Sequence, residues 1–316
     1  DGAINQLDKD LERHIKEYLA IRCGMQEVFN YPWMDEQFVN AVLQSTDGIL
    51  YLSTPPSPAE KYIRSSLLPN LCKDVVKNER YYSEFAIFET AQVFRDENYT
   101  SPYDEREKLP SQRKNVAGAF VSAAKDVTAL FRKAKGVIEM MPRYTHMEGF
   151  TFKQVEKPVW ADNVVWLNIY LGEEKVGDLA LLAKKVSMAC GIKNLNVMLF
   201  QLDQDALVPL RSRTNTFTHL AEFPMTDYDI SVLLDGEVQW KDVAQTIQGV
   251  KSELLHGAAF VDEYRGKQVP AGKKSLTVRL TIGSTEKTLT SAEIEEVANS
   301  VLKKLSKRFG AELRSR

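Results

Sequence analysis

Apolar residues recur at helical spacing in some stretches of the chain and alternate with polar residues in others. The first stretch predicts a helix, because its apolar positions return every three or four residues: Leu7, Leu11, Ile15 and Leu19. Gly24 predicts the end of this helix, since glycine adopts the left-handed conformation at little cost. The same spacing predicts helices over residues 63–76 and 127–141.

Shorter segments between these helices are rich in strand-forming residues. They predict strands over residues 85–94, 116–121, 150–154, 164–171, 175–181 and 196–202. Residues 99–115 carry Pro, Ser and charged residues, which predicts an exposed loop. A long helix followed by strands with helices interspersed is typical of an α+β domain with a largely antiparallel sheet.

A polar segment at residues 210–220 predicts a domain boundary. We therefore expect a first domain over residues 1–210, a linker over 211–221 and a second domain over 222–316. The sequence pattern of the second domain predicts the element order βαββαβ of a ferredoxin-like (RRM-like) unit. Its elements are expected at residues 228–234, 240–253, 254–264, 274–282, 291–308 and 312–314. The segment Ser291–Ile294 lacks the glutamate of a capping box.

Composition narrows the class of protein. The 316 residues are 44% hydrophobic and 27% charged, which excludes a disordered or fibrous chain. The 41 Lys and Arg against 43 Asp and Glu argue against nonspecific coating of nucleic acid, which needs a surplus of positive charge. Three scattered cysteines predict neither a disulfide framework nor a zinc site, and favour a reducing cytoplasm.

The common catalytic motifs are missing from the sequence. There is no G-x-G and no G-x-S-x-G, so neither a dinucleotide fingerprint nor a nucleophile elbow is expected. Residues 266–275 resemble a phosphate loop, but a strand follows where a helix should begin. We interpret this segment as a β-hairpin loop.

Several runs in the second domain carry a family signature. They are Phe260-Val-Asp-Glu-Tyr-Arg-Gly266, Gly272-Lys-Lys-Ser-Leu276, Lys287-Thr-Leu-Thr290 and Gly310-Ala-Glu-Leu-Arg314. Together they closely resemble the ferredoxin-fold anticodon-binding domain of the phenylalanyl-tRNA synthetase beta subunit.

The first domain resembles the same subunit. The matching runs are Gly24-Met-Gln-Glu-Val28, Arg64-Ser-Ser-Leu-Leu-Pro69 and Phe85-Ala-Ile-Phe-Glu-Thr-Ala-Gln-Val-Phe94. Family beta chains are longer, so the sequence is similar to their C-terminal part. The resemblance implies a class II synthetase fold that packs against a catalytic alpha subunit in an (αβ)₂ assembly. It implies tRNA(Phe) as the second partner, neither membrane nor DNA, and a cytoplasmic enzyme that uses ATP and Mg²⁺.

The sequence predicts that the first domain has no catalytic residue. Phe94-Arg95-Asp96-Glu97 resembles the F-R-x-E of class II motif 2, but no arginine lies between Arg143 and Arg211 to serve as the motif 3 arginine. Half of the phosphate clamp is therefore missing. We expect Arg95 to be a surface or interface residue, and no metal or ATP to bind this chain. The apolar face of the first helix fits either a subunit interface or ordinary core, and the resemblance favours the interface.

Period-2 alternation places Phe260, Asp262 and Tyr264 on one face of their strand, and Ala259 and Val261 on the face that packs on the helices. The resemblance implies that Asp262, Tyr264 and Ser275 contact the anticodon. Bases stack on aromatic rings and hydrogen-bond to polar groups in such sites. Five cations are candidates for the tRNA backbone: Arg265, Lys267, Lys273, Lys274 and Arg279. Where the family has a basic pair before an Asp on the first strand of this domain, this chain has Thr226-Asp-Tyr-Asp229, which removes positive charge near the start of the strand.

Three alternatives remain open at this point. Tyr264 could be an edge aromatic among solvated lysines, as exposed charges often are. The chain could be a paralogue that kept the fold as a protein-interaction module. It could also be a self-sufficient class II ligase with an unusual motif 3.

Overall fold

Two compact units make up the protein. The computed structural model describes residues 6–100, 108–210, 223–266 and 268–314, and the units divide between Asn215 and Thr216. The predicted linker, residues 211–221, lies outside the described residues. Each unit has its own sheet and its own buried core.

The first unit is built on a seven-stranded sheet. Its helices are α1 (Leu7–Glu17), α2 (Glu36–Val42), α3 (Leu68–Asn78), α4 (Val127–Thr145), α5 (Lys184–Cys190) and α6 (Gln204–Leu207). Its strands are β1 (Gln26–Glu27), β2 (Trp33–Met34), β3 (Tyr62–Ile63), β4 (Glu84–Thr100), β5 (Lys108–Ser122), β6 (Thr151–Lys153), β7 (Ala161–Leu171), β8 (Glu174–Leu182) and β9 (Asn196–Asp203). The strand order is β1-β4-β5-β9-β8-β7-β6, and β2 pairs with β3 separately.

Only the pair β1–β4 is parallel in this sheet, so the predicted α+β class with a largely antiparallel sheet is confirmed. The helix expected over residues 63–76 begins later, at Leu68, with Pro69 in its first turn. Proline suits that position because the first N–H groups of a helix have no intrahelical partner. The short helices α2, α5 and α6 escaped prediction because few turns give little periodicity.

The prediction of an exposed loop over residues 99–115 is wrong for the described residues of that range, 99–100 and 108–115. Strand β4 runs to Thr100 and β5 begins at Lys108, and the pairing Asn98↔Pro110 extends the hairpin beyond its buried section. A ladder of backbone hydrogen bonds needs no apolar side chains, so a polar sequence can form it. Residues 101–107 lie outside the described residues.

Both faces of the seven-stranded sheet are covered by buried side chains. One face packs on α2, α3 and α5, through residues that include Phe38, Leu71 and Val186. The other packs on α1 and α4, where Leu11 and Ile15 are fully buried. Leu11 and Ile15 of the apolar stripe are therefore core, whereas Leu7 at its start is 45% exposed.

The second unit has a four-stranded antiparallel sheet in the order β11-β12-β10-β13. Its elements are β10 (Thr226–Asp235), α7 (Trp240–Gln248), β11 (Leu255–Tyr264), β12 (Lys273–Ile282), α8 (Ser291–Phe309) and β13 (Glu312–Leu313). The predicted βαββαβ order is confirmed. The hairpin loop expected at residues 266–275 joins the paired strands β11 and β12.

The start of α8 corrects one expectation. Thr290, not Ser291, is the N-cap, and with Glu293 it forms the capping box that had been judged missing. The Thr290 hydroxyl accepts from the Glu293 backbone N–H, and the Glu293 carboxylate accepts from the Thr290 N–H at 2.8 Å. Hydrogen bonds from Lys287 and Thr290 lower the pKa of Glu293 to about 2. Across the parts of the chain that the structure describes, no helix combines the length and the apolar character that crossing a membrane requires.

Candidate nucleic-acid interface

Both described helices of the second unit pack on one face of its sheet. Side chains of β12 that point to this face are buried with α7 and α8, among them Leu276, Val278 and Leu280. The alternate side chains of β12 point to the opposite face, which we call the open face: Ser275, Thr277, Arg279 and Thr281. The open face is polar because no described helix covers it.

Strand register brings the three expected anticodon contacts together on the open face. Tyr264 lies directly opposite Ser275, and Asp262 lies opposite Thr277. Residues directly opposite each other on antiparallel strands share a face. The carboxylate of Asp262 is exposed, and Tyr264 is 41% exposed, so a ligand can reach both. Ser275, in contrast, is only 3% exposed.

A β-bulge at Val261 corrects the predicted alternation. Phe260 pairs with Val278 and Asp262 with Thr277, so Val261 has no partner in the register. The extra residue shifts the alternation by one, so that residues before and after the bulge that would otherwise share a face lie on opposite faces. Phe260 therefore lies on the helix side, with its ring 5.8 Å from that of Trp240. The expectation that it shares a face with Asp262 and Tyr264 was wrong.

The bulge has a second consequence for the same expectation. Ala259 pairs with Arg279, which places it on the open face and not on the helix side. Without the extra residue, strict alternation would place Ala259 and Asp262 on opposite faces of the strand. The bulge therefore places Asp262 and Tyr264 on the same face of the sheet as Ser275.

Arg314, which the sequence did not single out, completes the group around Ser275. Its Nη1 donates to Ser275 Oγ at 3.2 Å, and its Nη2 donates to Gln268 Oε1 at 3.1 Å. The guanidinium carbon lies 5.6 Å from the centre of the Tyr264 ring. The backbone N–H of Arg314 donates to the Ser231 carbonyl at 2.9 Å, which fixes the chain just after β13.

Two of the five cations expected around the site hold the hairpin together. Lys274 is 4% exposed and lies on the helix side, where its Nζ donates to Glu263 at 2.8 Å. Arg265 donates to the other oxygen of Glu263 and to the Gly236 carbonyl, each at 2.8 Å. Burial would raise the pKa of Glu263, but the bonds from Lys274 and Arg265 outweigh it and lower that pKa. Lys274 is therefore not placed to meet a phosphate.

Arg279 lies on the open face but is already paired. Its Nε and Nη2 donate to the two carboxylate oxygens of Asp229 at 2.8 and 2.9 Å. The same bonds lower the pKa of Asp229 and raise that of Arg279. Asp229 thus neutralises Arg279 on this part of the face. Lys273 is half-buried, and Lys267 lies outside the described residues.

Arg95 of the first unit lies on the sheet face that carries Val93, and its side chain is exposed. Beside it on that face lie Val93, which is buried, and Arg113, which pairs with Asp203 at 3.6 Å. In the described ranges, no three His, Cys, Asp or Glu side chains are grouped as metal ligands.

A buried polar cluster crosses the same unit. Arg64 Nη1 donates to Glu89 Oε1 at 3.1 Å, and Arg64 Nε donates to the Gln92 carbonyl at 2.6 Å. Asn30 donates from its backbone and side chain to the two oxygens of Glu89, each at 3.0 Å. Burial raises the pKa of Glu89 and lowers that of Arg64. These residues tie the segment before α3 to the sheet.

Comparisons with known proteins divide at the same place as the structure. Residues 2–204 match the family model "Phenylalanyl tRNA synthetase beta chain CLM domain", and residues 221–314 match "Ferredoxin-fold anticodon binding domain". The phenylalanine–tRNA ligase beta subunit of Carboxydothermus hydrogenoformans is 27% identical over 97% of this chain, and that of Oceanobacillus iheyensis is 28% identical over 96%.

In both relatives the match covers 38% of their own length. Among solved structures, a pyrrolysyl-tRNA synthetase from Desulfitobacterium hafniense superposes with a TM-score of 0.51 at 13% identity, over 64% of this chain and 68% of that one. At that identity the similarity concerns the fold alone, which is that of a synthetase.

Proposed function

The chain belongs to the phenylalanyl-tRNA synthetase beta chain family, and on that premise we propose that it supplies the anticodon-reading and assembly surfaces of a phenylalanine–tRNA ligase. Its partners in this proposal are tRNA(Phe) and a catalytic alpha subunit, and its compartment is the cytoplasm. The activity of the whole enzyme is part of the proposal, since the chain spans 38% of the length of its relatives.

The observation that carries the proposal is the position of Asp262 and Tyr264 on the open face. An unstacked base can stack on the half-exposed ring of Tyr264 and donate to the exposed carboxylate of Asp262. Arg279 and Asp229 neutralise each other beside them, so the affinity depends on these local contacts more than on a broad basic surface.

The reaction itself is assigned to the partner in this proposal. The buried part of the sheet face that carries Val93 packs on α2, α3 and α5, and this packing supports a structural role for the first unit. ATP and Mg²⁺ are then used by the alpha subunit, and we derive no step through them here. ATP–pyrophosphate exchange by this chain alone would contradict the assignment.

The test is binding of a tRNA(Phe) transcript by this chain together with the alpha subunit at low salt. We expect Tyr264→Ala to weaken binding by about 1–3 kcal/mol, the range for loss of one stacked base. Tyr81→Ala is the matched control, since Tyr81 is 66% exposed and lies in the first unit. Unchanged affinity in Tyr264→Ala would remove the stacking contact. Assembly with the alpha subunit without any tRNA binding would instead favour a protein-interaction module.

A further inference from the structure

Two of the three cysteines meet in the interior of the first unit. Cys72 lies on α3 and Cys190 is the last residue of α5, and both belong to the buried cluster on one face of the seven-stranded sheet. We propose that this pair is a site of reversible oxidation, at which hydrogen peroxide converts the two thiols into a disulfide that joins α3 to α5. The proposal is independent of the open face and of tRNA.

The packing of the two helices is the first argument. Cys72 is 0% exposed and Cys190 is 1% exposed, so both sulfur atoms lie in the core. Glu79, the residue directly after α3, accepts hydrogen bonds from the backbone N–H groups of Lys193 and Asn194, each at 3.0 Å. These bonds hold the segment after α5 against the end of α3. The fold thus keeps together two cysteines that are distant in the sequence.

The contact between the two thiols is the second argument. The Cys72 thiol donates a hydrogen bond to the Cys190 sulfur. This bond raises the pKa of Cys72, together with burial, and it lowers the pKa of Cys190 against the opposing effect of burial. The thiolate is the reactive form of cysteine, so Cys190 is the nucleophile of the pair and Cys72 holds the proton.

The position of Cys190 at a helix end is the third argument. Helix α5 has only seven residues, and Met188 within its last turn is 67% exposed. Gly191 ends the helix in the left-handed conformation, with φ 88°, and is exposed. The ends of short elements open locally without unfolding of the whole unit, which admits a molecule as small as peroxide to Cys190. Cys72 lies inside the longer α3, so it meets the oxidised sulfur of Cys190 and not the peroxide.

The reaction needs no reagent besides the peroxide. The Cys190 thiolate attacks one peroxide oxygen, so that an S–O bond forms and the O–O bond breaks. The hydroxide that leaves takes up the proton lost by Cys190, which gives water and a sulfenic acid. The Cys72 sulfur then attacks the Cys190 sulfur, so that the S–S bond forms and the S–O bond breaks. The hydroxyl group leaves with the Cys72 proton as a second water, and two thiols have been oxidised by one peroxide.

The experiment treats the folded 316-residue chain with hydrogen peroxide, alkylates the remaining thiols and identifies the tryptic peptides by mass spectrometry. We expect residues 65–73 and 186–193 as a joined pair that dithiothreitol separates. Cys23→Ser is the matched control and should form the same pair, because Cys23 packs with the cluster on the opposite face of the sheet. In the Cys72→Ser variant, dimedone should capture Cys190 as a sulfenic acid.

Four results would overturn the inference. The first is that Cys72 and Cys190 both stay reduced while Cys23 is oxidised. The second is a disulfide-linked dimer on a non-reducing gel, which would mean a bond between two copies of the chain. The third is that the joined peptides form only in urea, since the pairing would then belong to the unfolded chain. The fourth is a sulfenic acid that accumulates on Cys190 in the unaltered chain, which would mean that Cys72 does not reach it.

Discussion

The two units each contain an arginine–carboxylate pair, in opposite surroundings. Arg64 and Glu89 in the first unit have side chains that are 10% and 2% exposed, whereas Arg279 and Asp229 on the open face are 45% and 41% exposed. The buried pair gains extra bonds from Asn30 and the Gln92 carbonyl. The exposed pair lies on the open face, where both side chains remain accessible to water. An arginine–carboxylate pair therefore belongs to the packed interior in one unit and neutralises surface charge in the other.

The pKa values of the two carboxyl groups shift in opposite directions because one is buried and the other is exposed. Glu89 has a raised pKa because burial outweighs its bonds to Asn30 and Arg64. Asp229 has a lowered pKa because its bond to Arg279 outweighs a small desolvation. Exposed pairs contribute little to stability, since water solvates both partners before and after folding. Buried pairs are costly to break from one side, because the remaining charge stays without compensation.

The largest effect should follow from breaking the buried pair. We expect Glu89→Ala to lower the free energy of unfolding of the first unit by about 3–5 kcal/mol, because the Arg64 guanidinium stays buried without its carboxylate. Urea unfolding followed by tryptophan fluorescence measures the change. The control is Glu84→Ala on the same strand, whose carboxylate is 63% exposed and paired with Lys133 at 3.0 Å. Equal losses in the two variants would show that burial does not distinguish these pairs.

The pH dependence should follow next, with opposite signs for the two pairs. A carboxyl whose pKa is raised by folding binds its proton more tightly in the folded state. Its stabilising contribution is therefore lost as the pH rises from the ordinary value, 4.5 for glutamate, through the raised pKa of Glu89. Asp229 has a lowered pKa, so its contribution is lost as the pH falls from 3.8 through the folded value.

Glu89→Gln isolates the first of these effects. Glutamine resembles the protonated acid and does not titrate, so the stability of the unaltered chain relative to this variant should decrease with rising pH above about 4.5. Urea unfolding at a series of pH values measures the difference. A difference that increases with pH over that interval would mean that the Arg64 charge dominates over burial.

The smallest effect should come from the exposed pair, and it should appear in binding and not in folding. Asp229→Asn frees Arg279 to meet a phosphate, so we expect a few-fold gain in tRNA affinity at low salt and a salt dependence steeper by about one charge. Its melting temperature should not change. Glu295→Gln makes the same change in net charge on exposed α8. A similar gain in that control would point to general attraction and not to Arg279.

The sequence predicted regular elements best and local irregularities worst. The order of the second unit followed from alternation and helical spacing, because the buried positions of β12 and α8 repeat without interruption. The bulge at Val261 is invisible to such counting, since an extra residue leaves the composition of the strand unchanged. Thr290 was not identified as the N-cap for a related reason. The capping box is counted from the N-cap, so a helix start placed one residue too late hides it.

The candidate site shows the same limit. Asp262, Tyr264 and Ser275 could be named because they belong to runs that resemble a family. Arg314 belongs to such a run as well, but its place beside the site depends on contacts with Ser275 and Gln268, which are distant in sequence. Lys274 was predicted to meet the tRNA backbone because it is one of several cations near the site, whereas the strand register turns it inward to Glu263. Which face a residue meets is a property of the folded sheet.

The bulge at Val261 also affects the outer edge of the second unit. Strand β11 is the last strand on its side of the sheet, and a flat edge strand with apolar residues such as Phe260 and Val261 invites pairing with another chain. A second register shift lies between Leu255 and Gly257, so the backbone N–H and C=O groups of this edge do not form an evenly spaced row. The irregularities that bring Asp262 and Tyr264 to the open face thereby protect the sheet against aggregation through its edge.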